Sequence, residues 1–141
     1  MEFLGEVWKT EGRPAWVIEA SSLGVITQGR TKKEALAMLK DAIEELIYSY
    51  FHKKVKIVVQ DHGNGVVGVS CLDGNLLLSL SLIKQREASG QTVRDVAKRL
   101  GSKSPNAYAR YERGTVSMSL DKYDQLLHAV NPKISGISLT I

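Results

Sequence analysis

The sequence predicts an α+β chain in two parts: a small, mostly antiparallel sheet carrying one long helix, then an all-α domain. Three observations lead there. Over residues 1–72, short apolar runs of strand character are interrupted by one long run of helical period. After Asn75 the reading is helical almost to the end. Between the two lies Asp73-Gly74-Asn75, a polar break that places the expected boundary, with a first domain at 1–73 and a second at 74–141.

Phe3 to Val7 reads as a first short strand, and Thr10-Glu11-Gly12-Arg13-Pro14 as a turn. Ala15 to Ala20 alternates, with Trp16, Ile18 and Ala20 on one side. Ser21 to Gly24 turns the chain, and Val25 to Gln28 is a third strand stopped by Gly29. Thr31-Lys32-Lys33-Glu34 has the form of a capping box, in which the Thr31 hydroxyl accepts from the Glu34 amide and the Glu34 carboxylate reaches back. Behind it Leu36, Leu39, Ile43, Leu46, Ile47 and Tyr50 fall on one face, giving an amphipathic helix of about five turns. Val55 to Val59 and Val66 to Ser70 are β-branched strands, with His62-Gly63-Asn64-Gly65 as the hairpin loop between them. The first domain thus reads β-β-β-α-β-β, with the helix on one face of the sheet.

Leu76 to Ser89 is the first helix of the second domain, closed by Gly90; residues 76–82 fit a strand as well as a helix. Thr92 caps the next helix with Asp95 at its third position, and Val93, Val96, Ala97 and Leu100 form its buried stripe before Gly101 ends it. Ser104 and Pro105 open a third helix as cap and first helical residue. In it Tyr108 and Tyr111 face inward, and Gly114 closes it. Ser119 caps the fourth, whose inner stripe is Leu120, Tyr123, Leu126, Leu127 and Val130, and Asn131-Pro132 stops it. Ile134 to Ile141 alternates weakly and reads as a tail strand.

Composition narrows the function classes. The chain has 141 residues, of which 43% are hydrophobic, enough for a core. No apolar run is long enough to span a bilayer, and Met1 to Leu4 lacks the form of a secretory signal. Cys71 is the sole cysteine, which suits a reducing cytoplasm. One cysteine and three scattered histidines (His52, His62, His128) argue against structural zinc, and no other cofactor or metal is expected. The net charge of +4 is unevenly placed. Residues 1–83 hold nine Lys/Arg against ten Asp/Glu; residues 84–113 hold eight against three. A basic excess confined to one short window suits a polyanion such as DNA, although a solvated helical face gives the same count.

That window contains helix, tight turn and short helix, the arrangement that projects one helix into a major groove. The outward positions of the short helix are Asn106, Ala107, Ala109, Arg110 and Arg113. Asparagine pairs bidentately with adenine and arginine with guanine, so the polar ones are candidate base readers. Lys103 and Ser104 precede it, where a cation and free amides suit a phosphate. Arg94 and Lys98 are candidate backbone grips.

Four segments resemble the Cro and phage-repressor type of helix-turn-helix: Leu82 to Gly90, Val96 to Gly101, Arg110 to Gly114, and Ser119-Leu120. The resemblance implies an ion pair between Arg86 and Glu112. It also implies double-stranded DNA as partner, a palindromic operator, and a homodimer or higher homo-oligomer to read it. Two departures stand out. Val93 replaces a glutamine common in that family, and the turn from Gly101 to Arg110 is one residue longer than usual.

The first domain shows no working active site. Glu19, Asp41, Glu44 and Glu45 form no obvious metal cluster, and His52, His62 and Cys71 read as loop, hairpin and packed strand residues. The chain is therefore expected not to be an enzyme. Ala15 to Glu19, Leu23 to Gly29 and Thr31 to Leu36 resemble the HicB family of antitoxins, whose fold is a partial RNase H-like one; the family's frequent Pro-Gly-Cys near Leu23 to Val25 is missing here. The resemblance implies an antitoxin that binds a HicA-like RNA-cleaving toxin and represses its own promoter. Glu44 and Glu45, with the sheet edge at Glu2 to Val7 and its Glu2 and Glu6, are the candidate toxin contacts. Two other readings remain: a stand-alone transcription regulator whose first domain senses a ligand or dimerises, and a vestigial nuclease using Glu19.

Overall fold

The computed structural model describes residues 1–13 and 15–133. The described residues divide into two compact units, 1–74 and 75–133. The expected tail strand at 134–141 and Pro14 of the first turn lie outside the described residues.

In the first unit, β1 (Phe3–Lys9), β2 (Trp16–Ala20) and β3 (Val25–Gly29) precede the long helix α1 (Lys32–Phe51), and β4 (Ile57–Gly63) and β5 (Val66–Cys71) follow it. All strand pairs are antiparallel, in the order β3-β2-β1-β5-β4. One sheet face is packed under α1 and holds Val7, Ile18, Ala20, Val25, Val67 and Val69, all buried. The helix answers with Ala35, Leu39, Ile43 and Ile47, a strict every-fourth stripe that is fully buried. This moves the expected face by a fraction of a turn. Leu36 and Leu46 are only half-buried flanks and Tyr50 is exposed, because a sheet accepts a narrow ridge of a helix and not a wide arc. Gly29 explains the close approach of the two: a Cβ there would stand 2.5 Å from the Ala35 amide nitrogen.

Local signals fix the ends. The Thr31 hydroxyl accepts from the Glu34 N–H at 3.0 Å and starts α1. At the other end His52, expected in a loop, is the left-handed residue that stops the helix (φ 55°), and its N–H donates to Tyr48. The expected hairpin loop shrinks to Asn64-Gly65, both at positive φ (55° and 78°), which is the backbone of a tight two-residue hairpin. His62 and Gly63 belong to β4 itself.

Two further expectations are corrected. The fourth strand begins at Ile57 and not Val55: its pairing with β5 starts at Ile57 opposite Cys71, and the Ile57 N–H donates to the Glu44 carboxylate at 2.9 Å. And the segment Glu2 to Val7 is no sheet edge: β1 is the middle strand, paired on both sides, and the edges are β3 and β4.

In the second unit, α2 (Gly74–Ala88) is helical throughout, which settles residues 76–82. Leu76 to Ile83 are all buried, so the helix is covered on every side and carries no periodic signal in that stretch. Its two serines are satisfied there: Ser79 Oγ donates to the Tyr111 carbonyl at 2.7 Å, and Ser81 Oγ bonds the Tyr123 hydroxyl at 2.7 Å. Then come α3 (Val93–Arg99), α4 (Asn106–Glu112) and α5 (Leu120–Val130). The inner face of α5 is Tyr123, Leu126, Leu127, Ala129 and Val130; Leu120 is 41% exposed and does not join it, since it sits at the helix start, before the turns that pack.

Gly29→Ala is expected to lower stability by about 1–3 kcal/mol, through a clash that the α1 backbone has to relieve. Gly12→Ala, with open space around its Cβ, is the control, expected within about 0.5 kcal/mol. Urea unfolding of both variants checks this.

Candidate DNA-binding surface

Helices α2, α3 and α4 all end in the same way. Gly90, Gly101 and Gly114 have φ near +70° (71°, 77° and 72°). In each case the glycine N–H donates three residues back, to Glu87, Lys98 and Tyr111, and the next N–H donates five back, to Arg86, Ala97 and Arg110. This double bond pattern satisfies the last carbonyls and turns the chain sharply without a long loop. Short helices can then be stacked in close succession, as a helix-turn-helix requires.

The start of α3 carries a full capping box. Asp95 N–H donates to Thr92 Oγ1 at 3.1 Å and Thr92 N–H to Asp95 Oδ2 at 2.9 Å. These bonds hold the Asp95 carboxyl below its ordinary pKa, with help from Lys98 and Arg99. The start of α4 differs by one residue from expectation. The helix begins at Asn106, and Pro105 is its cap, with helical angles and a carbonyl accepting from Ala109 N–H at 2.9 Å. Ser104 nevertheless accepts from the Asn106 N–H at 3.2 Å.

The short helix α4 is anchored from beneath. Arg86 donates from Nε to Glu112 Oε2 at 2.7 Å and from Nη2 to Glu112 Oε1 at 2.9 Å, a bidentate pair with both side chains largely buried. The carboxylate raises the Arg86 pKa above the ordinary arginine value. Arg86 Nη1 also donates to the Gln91 carbonyl at 3.0 Å. Tyr108 is fully buried, and burial, with the Glu112 carboxylate near it, pushes its pKa far above that of a free phenol. Tyr111, expected inward, is half-buried, with Lys122 Nζ 5.5 Å from its ring centre.

With that face tied down, the opposite face of α4 is in solvent. Asn106, Ala107, Arg110 and Arg113 are exposed, as are Lys103 and Ser104 before them and Arg94 and Lys98 on α3; Ala109 is half-buried. Among the described residues, none of the five cations in that group has an ion-pair partner. Arg99, also basic, is different: its Nε donates to Gln91 Oε1 at 2.7 Å. Val93 is half-buried at the start of α3 and supplies no polar contact.

Several supporting residues escape pattern reading. Gln91 binds α5 through Nε2, to the Val130 carbonyl at 2.7 Å and the Ala129 carbonyl at 3.2 Å, while its Oε1 holds Arg99. Ser89 Oγ reaches the same Val130 carbonyl at 2.6 Å. Asn75 bonds both the Val116 carbonyl and the Met118 N–H, bracing the loop between α4 and α5. The hint for Gln91 is its place between a helix-ending glycine and a helix-starting threonine, where a polar side chain has helix ends within reach.

In the first unit, the expected acidic contacts separate. Glu44 is half-buried and engaged by Lys40 Nζ at 2.8 Å and by Ile57 N–H, so it is not the free charge expected. Burial works against its ionisation, but those bonds prevail and lower its pKa. Glu2 is held by His62 Nε2 at 3.0 Å. Glu6 and Glu45 are exposed. Glu19 lies on the sheet face away from α1, so it cannot join Asp41, Glu44 and Glu45 in one metal cluster. No group of three or more His, Cys, Asp or Glu among the described residues could hold a metal ion, and no helix among them is long and apolar enough to cross a membrane.

Arg86→Met should leave the Glu112 carboxylate buried and unpaired and cost about 3–5 kcal/mol. The double variant Arg86→Met/Glu112→Leu is expected to recover most of that loss, a non-additivity that denaturant unfolding of the two single variants and the pair would read directly.

Residues 82–131 match the family model described as Helix-turn-helix, of the Cro/C1 type. That stretch runs from Leu82, in the second half of α2, to Asn131, which caps the end of α5. No curated protein matches the chain.

Proposed function

We propose that this chain is a promoter-binding antitoxin, in which the helix-turn-helix at residues 82–131 represses transcription and the first unit covers a HicA-like, RNA-cleaving toxin. The DNA-binding half rests on one observation above the others. The buried Arg86–Glu112 pair and Tyr108 fix one face of α4, while Asn106, Arg110 and Arg113 stand free on the exposed side. In this reading Arg110 and Asn106 read base edges in the major groove, and Arg113 lies at the rim. Lys103, Ser104, Arg94 and Lys98 hold phosphates on either side. One such unit reads one half-site, so a homodimer on a palindromic operator follows.

The antitoxin half is supported by the β-β-β-α-β-β order, the all-antiparallel sheet with a single helix on one face, and the residue pattern of Ala15 to Leu36. Charge fits as well. The first unit is slightly acidic where the window 84–113 is basic, so the two units suit partners of opposite charge. An RNA-cleaving protein needs a basic surface.

Arg110→Ala should lose about 1–3 kcal/mol of discrimination at one operator position, while Lys103→Ala should weaken binding to all sequences and reduce the salt slope by about one. Fluorescence anisotropy with operator and scrambled duplexes at several salt concentrations separates the two. An operator preference unchanged by Arg110→Ala places another residue at the bases. For the antitoxin half, the chain is co-expressed with the product of the adjoining reading frame. Restored growth and co-purification are expected; a harmless neighbour, or one that does not co-purify, leaves a stand-alone regulator.

A further inference from the structure

The sheet of the first unit has a second face, turned away from α1. The strand register places Leu4, Glu6 and Trp8 of β1 there, with Glu19 of β2, Ile26 of β3 and Val58 of β4. Four of these are large apolar side chains left in solvent: Leu4 is 41% exposed, Trp8 39%, Ile26 61% and Val58 55%. They lie on both edge strands and on the central strand, with Glu19 and Glu6 between Ile26 and the apolar groups of β1. A scattered exposed leucine needs no explanation, but four large apolar side chains interleaved with carboxylates on one sheet face are what a mixed binding surface looks like.

The carboxylates on this face are Glu2, which His62 Nε2 holds at 3.0 Å, and Glu6 and Glu19. Glu6 and Glu19 are directly opposite each other on β1 and β2, and Ile26 is opposite Glu19 in turn. No lysine or arginine stands at an outward position of any of the five strands. Among the described residues neither Glu6 nor Glu19 has an ion-pair partner. Two carboxylates directly opposite on neighbouring strands repel, at Cβ separations of about 4.5–5.5 Å. The fold gains nothing from that repulsion, whereas a ligand that brings a cation to the pair does.

We propose that this open sheet face is the docking surface for a basic protein, one that sets an arginine or lysine between Glu6 and Glu19 and apolar side chains over Trp8, Leu4 and Ile26. The charge selects this occupant. A second copy related by a two-fold axis would bring four carboxylates together, and a nucleic acid would bring phosphates to them. Trp8 supplies an aromatic surface beside the carboxylates, which suits a guanidinium. The inference rests on the toxin-partner reading above and gives that partner its surface.

The chain has two tryptophans, Trp8 and Trp16. Trp16→Phe therefore leaves Trp8 as the sole reporter, inside the face itself. The full chain carrying this change is titrated with the purified product of the adjoining frame, followed by Trp8 emission and by calorimetry. Binding with a blue shift of Trp8 is expected, and Glu6→Gln/Glu19→Gln should weaken it at least tenfold. The same glutamine pair should raise the melting temperature of the free chain, which shows that the fold is intact. Calorimetric binding with unchanged Trp8 emission and no effect of the glutamine pair would overturn the inference and leave the antitoxin reading standing. No calorimetric binding at all overturns both. A Trp8 shift that grows with the concentration of the chain alone assigns the face to a second copy and overturns the inference as well.

Discussion

Arg86 reaches from the last turn of α2 to the last turn of α4 and meets Glu112 through two hydrogen bonds, with almost no water around the carboxylate. A charge pair so placed adds little net stability, because removing both ions from water nearly cancels their attraction. Its value is geometric. A planar guanidinium facing a planar carboxylate permits one orientation, whereas an apolar contact of similar size permits many. The helix that presents Asn106 and Arg110 is seven residues long and would not persist alone in water. Its direction comes from this pair, from Tyr108 beside it, and from the Ser79 hydroxyl on the Tyr111 carbonyl.

The same economy governs the rest of the helical unit. Three glycines in left-handed geometry end three helices in succession, each closing its carbonyls within two residues. Gln91 then uses one side chain to satisfy the end of α5 and to hold Arg99, while its backbone carbonyl takes the third donor of Arg86. The ion pair and the glutamine thus form one connected polar network joining α2, α3, α4 and α5. Basic residues inside the network, Arg86 and Arg99, are committed to structure. Those outside it, Arg94, Lys98, Lys103, Arg110 and Arg113, are exposed and have no ion-pair partner among the described residues.

Much of this was legible in the residues, and the failures have physical causes. Caps and stops such as Thr31, Thr92, Ser119, Gly90, Gly101 and Gly114 act locally, so their signals survive without knowledge of the fold. Position within a sheet is different. Nothing local to Phe3 to Val7 says that β5 returns to pair on its far side, and so a central strand reads as an edge. Glu44 looked free for the same reason: the Ile57 amide that it holds is thirteen residues away. The all-round burial of Leu76 to Ile83 removed the period on which a helix is recognised. For the open surface of the helical unit, residue type and helical spacing sufficed to place exposed cations on α3 and α4. They did not reveal that Arg99 is tied down by Gln91.

Each unit therefore has a surface of its own: on α3, α4 and the turn between them, five cations with no ion-pair partner among the described residues, and on the open sheet, carboxylates and apolar groups. The division of labour is tested most directly by amide chemical-shift mapping of the full chain against a duplex selected from a random pool. The shifts are expected to concentrate at Lys103, Asn106, Arg110 and Arg113, with a smaller set at Arg94 and Lys98, and to leave the strands of the first unit unmoved. Shifts centred on β1 and β2 instead, or a pool that yields no preferred sequence, would contradict it.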